Sequence, residues 1–161
     1  MEAVGVVFSV LLGIVYANFL EWATHKYILH GLGKKKSSPL SFHFHKHHKV
    51  TRKFDGSDPD YMKGFFGEGR EVAALGLLVL LHVPLIYVFP AFFFTLLAYT
   101  CTYYLMHRKF HLDPEWGKKW MPWHWDHHMG KDQNSNWGVT NPIFDYVFGT
   151  RKKYLEDVNS N

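Results

Sequence analysis

The chain of 161 residues is poor in cysteine, carries no charge over two long stretches, and contains no Glu-x-x-His anywhere. A single cysteine, Cys101, excludes an internal disulfide framework, a cysteine-built zinc finger and an iron–sulfur site. Without Glu-x-x-His the chain cannot present the ligand pattern of the carboxylate-bridged di-iron bundles. No basic–aromatic RNA motif and no helix-turn-helix pattern accompanies the net charge of +4, so that charge is not the footprint of a nucleic-acid binder. The composition, 47% hydrophobic and 18% aromatic, excludes disorder, and the length suits a single domain over residues 1–161.

The first uncharged stretch is Ala3 to Leu20, which as a helix measures roughly 27 Å, close to the hydrocarbon thickness of a bilayer. Glu2 is the only charge ahead of it and no small-residue cleavage pattern follows, so it reads as a span rather than a removable leader. The second stretch, Val72 to Met106, measures roughly 52 Å as a helix, too long for one crossing and right for two short ones. Pro84 and Pro90 interrupt it, with a reversal at Val88-Phe89-Pro90. The expectation is all-α: an integral membrane helical bundle of three membrane-embedded helices, near 3–23, 72–88 and 91–110, under a histidine-rich helical cap. Residues 155–161 read as a loose tail.

All 18 lysines and arginines lie within 26–70 or 108–153. The positive-inside tendency puts both segments on the cytoplasmic side, with Met1 and the Pro90 tip opposite. Lys34-Lys35-Lys36 reads as an anchor near lipid phosphates, and Trp116, Trp120, Trp123 and Trp125 as an interfacial belt or the lining of a substrate path. Asp55 to Asp60 is a turn-rich loop, and Gly64 to Gly69 lacks the βαβ context of a dinucleotide loop.

Histidine is what the chain has in excess: 12, against 14 acidic residues. Only His82 lies inside an apolar stretch, where it reads as a packed histidine bonded to a neighbouring helix. The other 11 fall in the two cytoplasmic segments as four clusters. His25 and His30 follow the first span; His43, His45, His47 and His48 lie in the next loop. His107 and His111 end the third span, and His124, His127 and His128 follow it. His107/His111 and His43/His47 are spaced i, i+4 on one helical face, and His124, His127 and His128 form one stripe. His25 and His30 are five apart, which local unwinding of a helix can absorb. Imidazole is the commonest metal ligand, and ten such side chains suit two ions with a position left for oxygen or water. Asp126 and Asp145 read as carboxylates that orient ring N–H groups.

These histidine boxes resemble the fatty acid hydroxylase and sterol desaturase superfamily of membrane di-metal oxidases. The closing run Asn136 to Thr150, with Gly138-Val139-Thr140, Phe144-Asp145 and Phe148-Gly149-Thr150, is similar to that family's ending. The resemblance runs from about Glu21 to Thr150. It implies an O2-dependent oxidoreductase acting on lipid C–H bonds through two iron ions, with zinc possible in the isolated protein. The ligands it implies are His25, His30, His43, His47, His48, His107, His111, His124, His127 and His128. In the second box Phe44 stands where the family has its first histidine, so either His43 or His45 completes the box; helical spacing favours His43. The first box, Thr24 to Gly31, looks like that of bacterial carotenoid hydroxylases, while the ending looks like that of fatty acid hydroxylases. The leading expectation is therefore a hydroxylase of a fatty acyl or sterol-like membrane lipid. A carotenoid ring hydroxylase or a lipid desaturase on the same scaffold is the alternative, and a non-catalytic metal-binding or metal-transport protein a remote one. The family also implies a separate electron donor, of ferredoxin or cytochrome b5 type, and the small size favours a bacterial inner membrane over the endoplasmic reticulum.

Overall fold

A computed structural model describes residues 3–155. Among them are eight α-helices and no strand. The helix α1 (Ala3–Ala23) runs without a break into a π-helical turn over Thr24–Leu29. A second π turn, His43–His47, leads into α2 (His48–Lys53). Then come α3 (Gly69–His82), α4 (Leu85–Val88), α5 (Pro90–Leu112), α6 (Pro114–Trp120), α7 (Pro122–Met129) and α8 (Ile143–Val147). The tail expected over 155–161 lies almost wholly outside the described residues.

The core of the architecture is α1 packed along α5. Gly13 lets the two backbones approach: a Cβ there would meet Thr95 Cβ and Cγ2 at 3.0 Å and the Phe92 carbonyl at 3.3 Å. Further along, Asn18 Nδ2 donates to the Tyr99 hydroxyl at 2.7 Å. The register 13 to 95 and 18 to 99 makes the helices parallel, so both deliver their histidines to the same end. The chain leads away from that end along α3, which also packs against α5 and meets α1 through Tyr16 and His82.

The helical run Ala3–Lys34 is the one stretch, among the described residues, long and apolar enough to cross a membrane. Of the three expected spans, only the first coincides with such a helix. The hairpin is there, but α3 has 14 residues, roughly 21 Å at the helical rise, short of a roughly 30 Å hydrocarbon core. Pro84 has no N–H to continue the ladder, so the helix stops at His82 and resumes only for the four residues of α4. Large apolar side chains nevertheless cover the outside of all three helices, among them Phe8, Leu11, Val15, Leu80, Leu81, Tyr87 and Phe94.

The tryptophans do not form an exposed belt. Only Trp120 is exposed, while Trp125 is buried in a small cluster with Phe110, Met121 and Val139, and Trp116 and Trp123 pack against it. This cluster braces α6 and α7 beside the histidines. Lys118 lies over the Trp125 ring at 4.4 Å, which places its charge at the edge of the cluster.

Gly13→Leu is expected to destabilise the protein by about 1–3 kcal/mol through overpacking of α1 against α5. Gly5→Leu, where nothing lies within 4 Å of an added Cβ, serves as the control. Comparable thermal unfolding of the two variants would contradict the close approach.

A candidate metal centre of ten buried histidines

The ten histidines other than His45 and His82 are all buried and converge at one end of the bundle. Ligand-capable nitrogens of His25, His30, His43, His48 and His127 lie within 4.8 Å of one another, as do those of His47, His107, His111 and His128 in a second group. His124 joins the second group at its edge, with its Nε2 3.1 Å from that of His128.

Local helix geometry sorts the side chains. The π turns close i+5 to i: the His30 N–H donates to the His25 carbonyl at 3.0 Å, and the His48 N–H to the His43 carbonyl. A wider turn brings residues five apart onto one face, so His25 pairs with His30 and His43 with His48, all in the first group. The expected i, i+4 pairing of His43 with His47 is therefore corrected, because His47 turns to the second group while its neighbour His48 stays in the first. The stripe on α7 divides in the same way, His127 to the first group and His128 to the second. His45 points away, its Nε2 2.8 Å from the Lys34 carbonyl, and His43 occupies the cluster.

The outward-facing nitrogens show which ring atoms are free to bind a cation. A carbonyl can only accept, so Nδ1 carries the proton wherever it meets one. Nδ1 of His25 donates to the Trp137 carbonyl at 2.6 Å, that of His111 to the Gly56 carbonyl at 2.9 Å, and that of His127 to the Ser135 carbonyl at 2.7 Å. Two more rings meet carboxylates: His47 Nδ1 with Asp58 Oδ2 at 2.8 Å and His107 Nδ1 with Glu71 Oε1 at 2.5 Å. In each of these five rings the neutral tautomer leaves Nε2 as a bare lone pair pointing inward.

His107 and His111 face each other with their Nε2 atoms 3.0 Å apart. With Nδ1 of each ring engaged outward, a cation within reach of both nitrogens, whether a proton or a metal ion, stabilises that approach. The other Nε2 pairs repeat the spacing: His25–His43 and His30–His48 at 3.0 Å, His48–His127 at 3.1 Å. Metal–nitrogen bonds of roughly 2.1 Å set at right angles put their nitrogens roughly 3.0 Å apart, whereas tetrahedral bonds put them roughly 3.4 Å apart. The donor set, nine imidazole nitrogens in two buried groups with His124 beside them, fits divalent metal ions.

Burial away from water holds His43, His48, His111, His124 and His128 well below the usual imidazole range, with neighbouring imidazoles adding to the effect. His127 is pushed down to about 3, by burial first. These rings are neutral near pH 7, the form a metal requires.

Several groups that orient the rings carry no motif in the sequence. Asp58 caps the turn at Pro59–Lys63 with Oδ1, accepting from the Asp60 N–H at 3.0 Å, and holds His47 with Oδ2. Gly56, at φ +92°, supplies the carbonyl for His111; a Cβ there would strike the Trp125 ring at 2.5 Å. Tyr61 donates to Glu71 Oε2 at 2.7 Å and stacks on His111 at 5.2 Å between centroids. One signal was available for Glu71: it stands at the border of the uncharged stretch, as Glu21 does at the other. Glu21 is also buried, where its Oε1 accepts from the Val139 and Thr140 N–H groups and its Oε2 from the Thr140 hydroxyl at 2.7 Å.

The two expected aspartates act at one remove. Asp145 Oδ1 accepts from the Trp137 N–H and Oδ2 from the Gly138 N–H, both at 2.8 Å, which fixes the peptide whose carbonyl holds His25. Asp126 pairs with Arg151 at 2.8 Å and accepts from the Leu155 N–H, tying the C-terminal strand of chain to α7. Asp145 Oδ1 also accepts from the Trp22 indole and the Thr150 hydroxyl, and Asp126 Oδ1 from the Tyr154 N–H; among the described residues neither carboxylate meets an imidazole.

A cavity of about 620 Å³ leads from the metal-facing side of His25, His43, His47 and His107 down between α1, α3 and α5. Its lower walls are apolar, with Ala17, Leu20, Leu78, Leu81 and Leu96.

Residues 10–150 match the family described as fatty acid hydroxylase. No curated protein and no solved structure matches the chain.

An imidazole whose pKa falls on folding binds its proton more readily in the unfolded chain. Stability is then complete above the ordinary value of 6.5 and is lost as pH falls toward the folded value, about 3 for His127. Metal-free protein is therefore expected to lose roughly 1.4 kcal/mol per pH unit per buried ring below about pH 6.5. Thermal unfolding midpoints of chelator-treated protein at pH 7 and pH 5 check this; equal midpoints would contradict it. Asp58→Asn should lower metal affinity about 10–100-fold, whereas His45→Ala should leave metal content unchanged, both read by metal analysis after dialysis.

Proposed function

The chain belongs to the fatty acid hydroxylase family, and on that premise we propose that it is a membrane-embedded lipid hydroxylase whose ten converging histidines hold two iron ions. The observation that carries this reading is the convergence of ten buried histidines into two ligand-capable groups at the head of an apolar cavity. In the first position the ion would be held by His25, His30, His43, His48 and His127, and in the second by His47, His107, His111 and His128, with His124 beside them. Bound iron supplies what no side chain can, the activation of O2 toward an inert C–H bond. Imidazole ligands suit iron and zinc alike, and the choice of iron rests on the family.

The protein's own part is to position and to exclude. The carbonyls of Trp137, Ser135 and Gly56 and the carboxylates of Asp58 and Glu71 hold five rings with Nε2 inward, so no reorganisation is needed when metal binds. The apolar walls keep water from the cavity below and hold an extended chain near the metal end. Insertion of one oxygen atom from O2, with the other leaving as water, needs two electrons and two protons from outside. A separate donor of ferredoxin or cytochrome b5 type fits that need.

The membrane reading is supported by the run Ala3–Lys34 and by the exposed apolar faces of α1, α3 and α5, which exceed what a soluble monomer presents. Basic residues gather at the histidine end, which favours a cytoplasmic site in a bacterial inner membrane. The cavity opens between helices, as a lipid entering sideways requires. Desaturation or carotenoid ring hydroxylation on the same scaffold would use the same centre, and product mass separates them.

Purified protein is expected to hold two iron ions per chain, and lipid extracts of expressing cells to gain a species heavier by one oxygen. His127→Ala should abolish that species. Fewer than two metals per chain would overturn the two-ion assignment, and a product lighter by two hydrogens would select desaturation.

A further inference from the structure

At the end of the cavity opposite the histidines, α1 and α3 are joined by a single side-chain bond. His82 Nδ1 meets the Leu78 carbonyl at 2.8 Å and so carries the ring proton. Its Nε2 is then an acceptor, and the Tyr16 hydroxyl donates to it at 2.8 Å. The Tyr16 ring rests on Phe92 of α5, with centroids 5.3 Å apart, so the tie touches all three helices.

The cavity stops at this level on every wall. Its lining reaches Ala17 on α1, the residue after Tyr16; His82 on α3; and Leu96 on α5, one turn past Phe92. Above the tie, α1 and α3 each lean on α5 and leave the cleft between them open. Both polar groups of the tie are satisfied, so its outer faces close the space without offering a site of their own.

We propose that the Tyr16–His82 bond, seated on Phe92, is the floor of the chain-binding cavity and sets the longest hydrocarbon segment the protein accepts. This rests on the lipid reading above and adds a length to it. From Glu71, which holds His107, to His82 is 11 residues of α3, roughly 16 Å at the helical rise. An extended chain advances roughly 1.2 Å per bond, so about a dozen carbon–carbon bonds separate the floor from the metal end. The ligand class is an unbranched saturated acyl chain whose methyl end rests on the tie. A longer segment must break the bond and leave His82 Nε2 and the Tyr16 hydroxyl unpaired among apolar walls, which should cost about tenfold in affinity or more.

The test uses a series of saturated fatty acids of increasing length, competing with a fluorescent fatty acid for purified iron-loaded protein, alongside product analysis on the same series. Wild type should show a drop of about tenfold once the chain passes the limit. His82→Ala should move that drop to longer chains, and Tyr16→Phe should flatten it, with metal content unchanged in both because neither residue lies near the cluster. Binding profiles of His82→Ala and wild type that coincide would overturn the proposal, as would a failure of any length to bind. A shifted binding profile with no oxygenated product at any length would uphold the floor and overturn the hydroxylase reading.

Discussion

Ten imidazoles crowded into one buried cluster, with facing ring nitrogens about 3 Å apart, do not stay together of their own accord. Every part of this small bundle works to keep them there. Each ring that presents a bare Nε2 must have its Nδ1 proton engaged on the other side, and the fold supplies that partner five times. Three partners are backbone carbonyls of loops and two are buried carboxylates. The arrangement favours a cation at the centre.

Loops, and not the long helices, supply most of this outer layer. The run from Ser135 to Val139 contributes two carbonyls to the first group and is itself pinned from both sides, by Asp145 beneath Trp137 and Gly138 and by Glu21 beneath Val139 and Thr140. The loop around Gly56 and Asp58 does the same for the second group. The two groups therefore differ electronically. Carboxylates face two rings of the second group, whereas the first has only carbonyl partners among its fixed rings, and a carboxylate partner makes an imidazole the stronger donor.

One cavity borders both groups, because His25 and His43 of the first and His47 and His107 of the second form its upper wall. Parallel packing of α1 and α5 is what brings this about. Two helices that start at the same end must finish at the same end, and each carries its histidines in its last turns.

The histidine count, its one-sided distribution and the apolar runs were legible from residue order, because hydropathy and ligand type are properties of side chains alone. From them followed the all-helical class and a histidine cluster able to hold metal. How the ten rings divide was not legible, since a one-residue widening of a helical turn sends His47 and His48 to opposite groups and no local propensity announces a π turn. Nor could the sequence reveal that the plain turn Asp55 to Asp60 holds two rings, or that Asp126 serves the C-terminal chain instead. Hydrogen bonds between residues 11 to 123 positions apart exist only once the helices are packed. Chemistry came from composition; pairing, orientation and the depth of the cavity came from contacts that only the assembled fold creates.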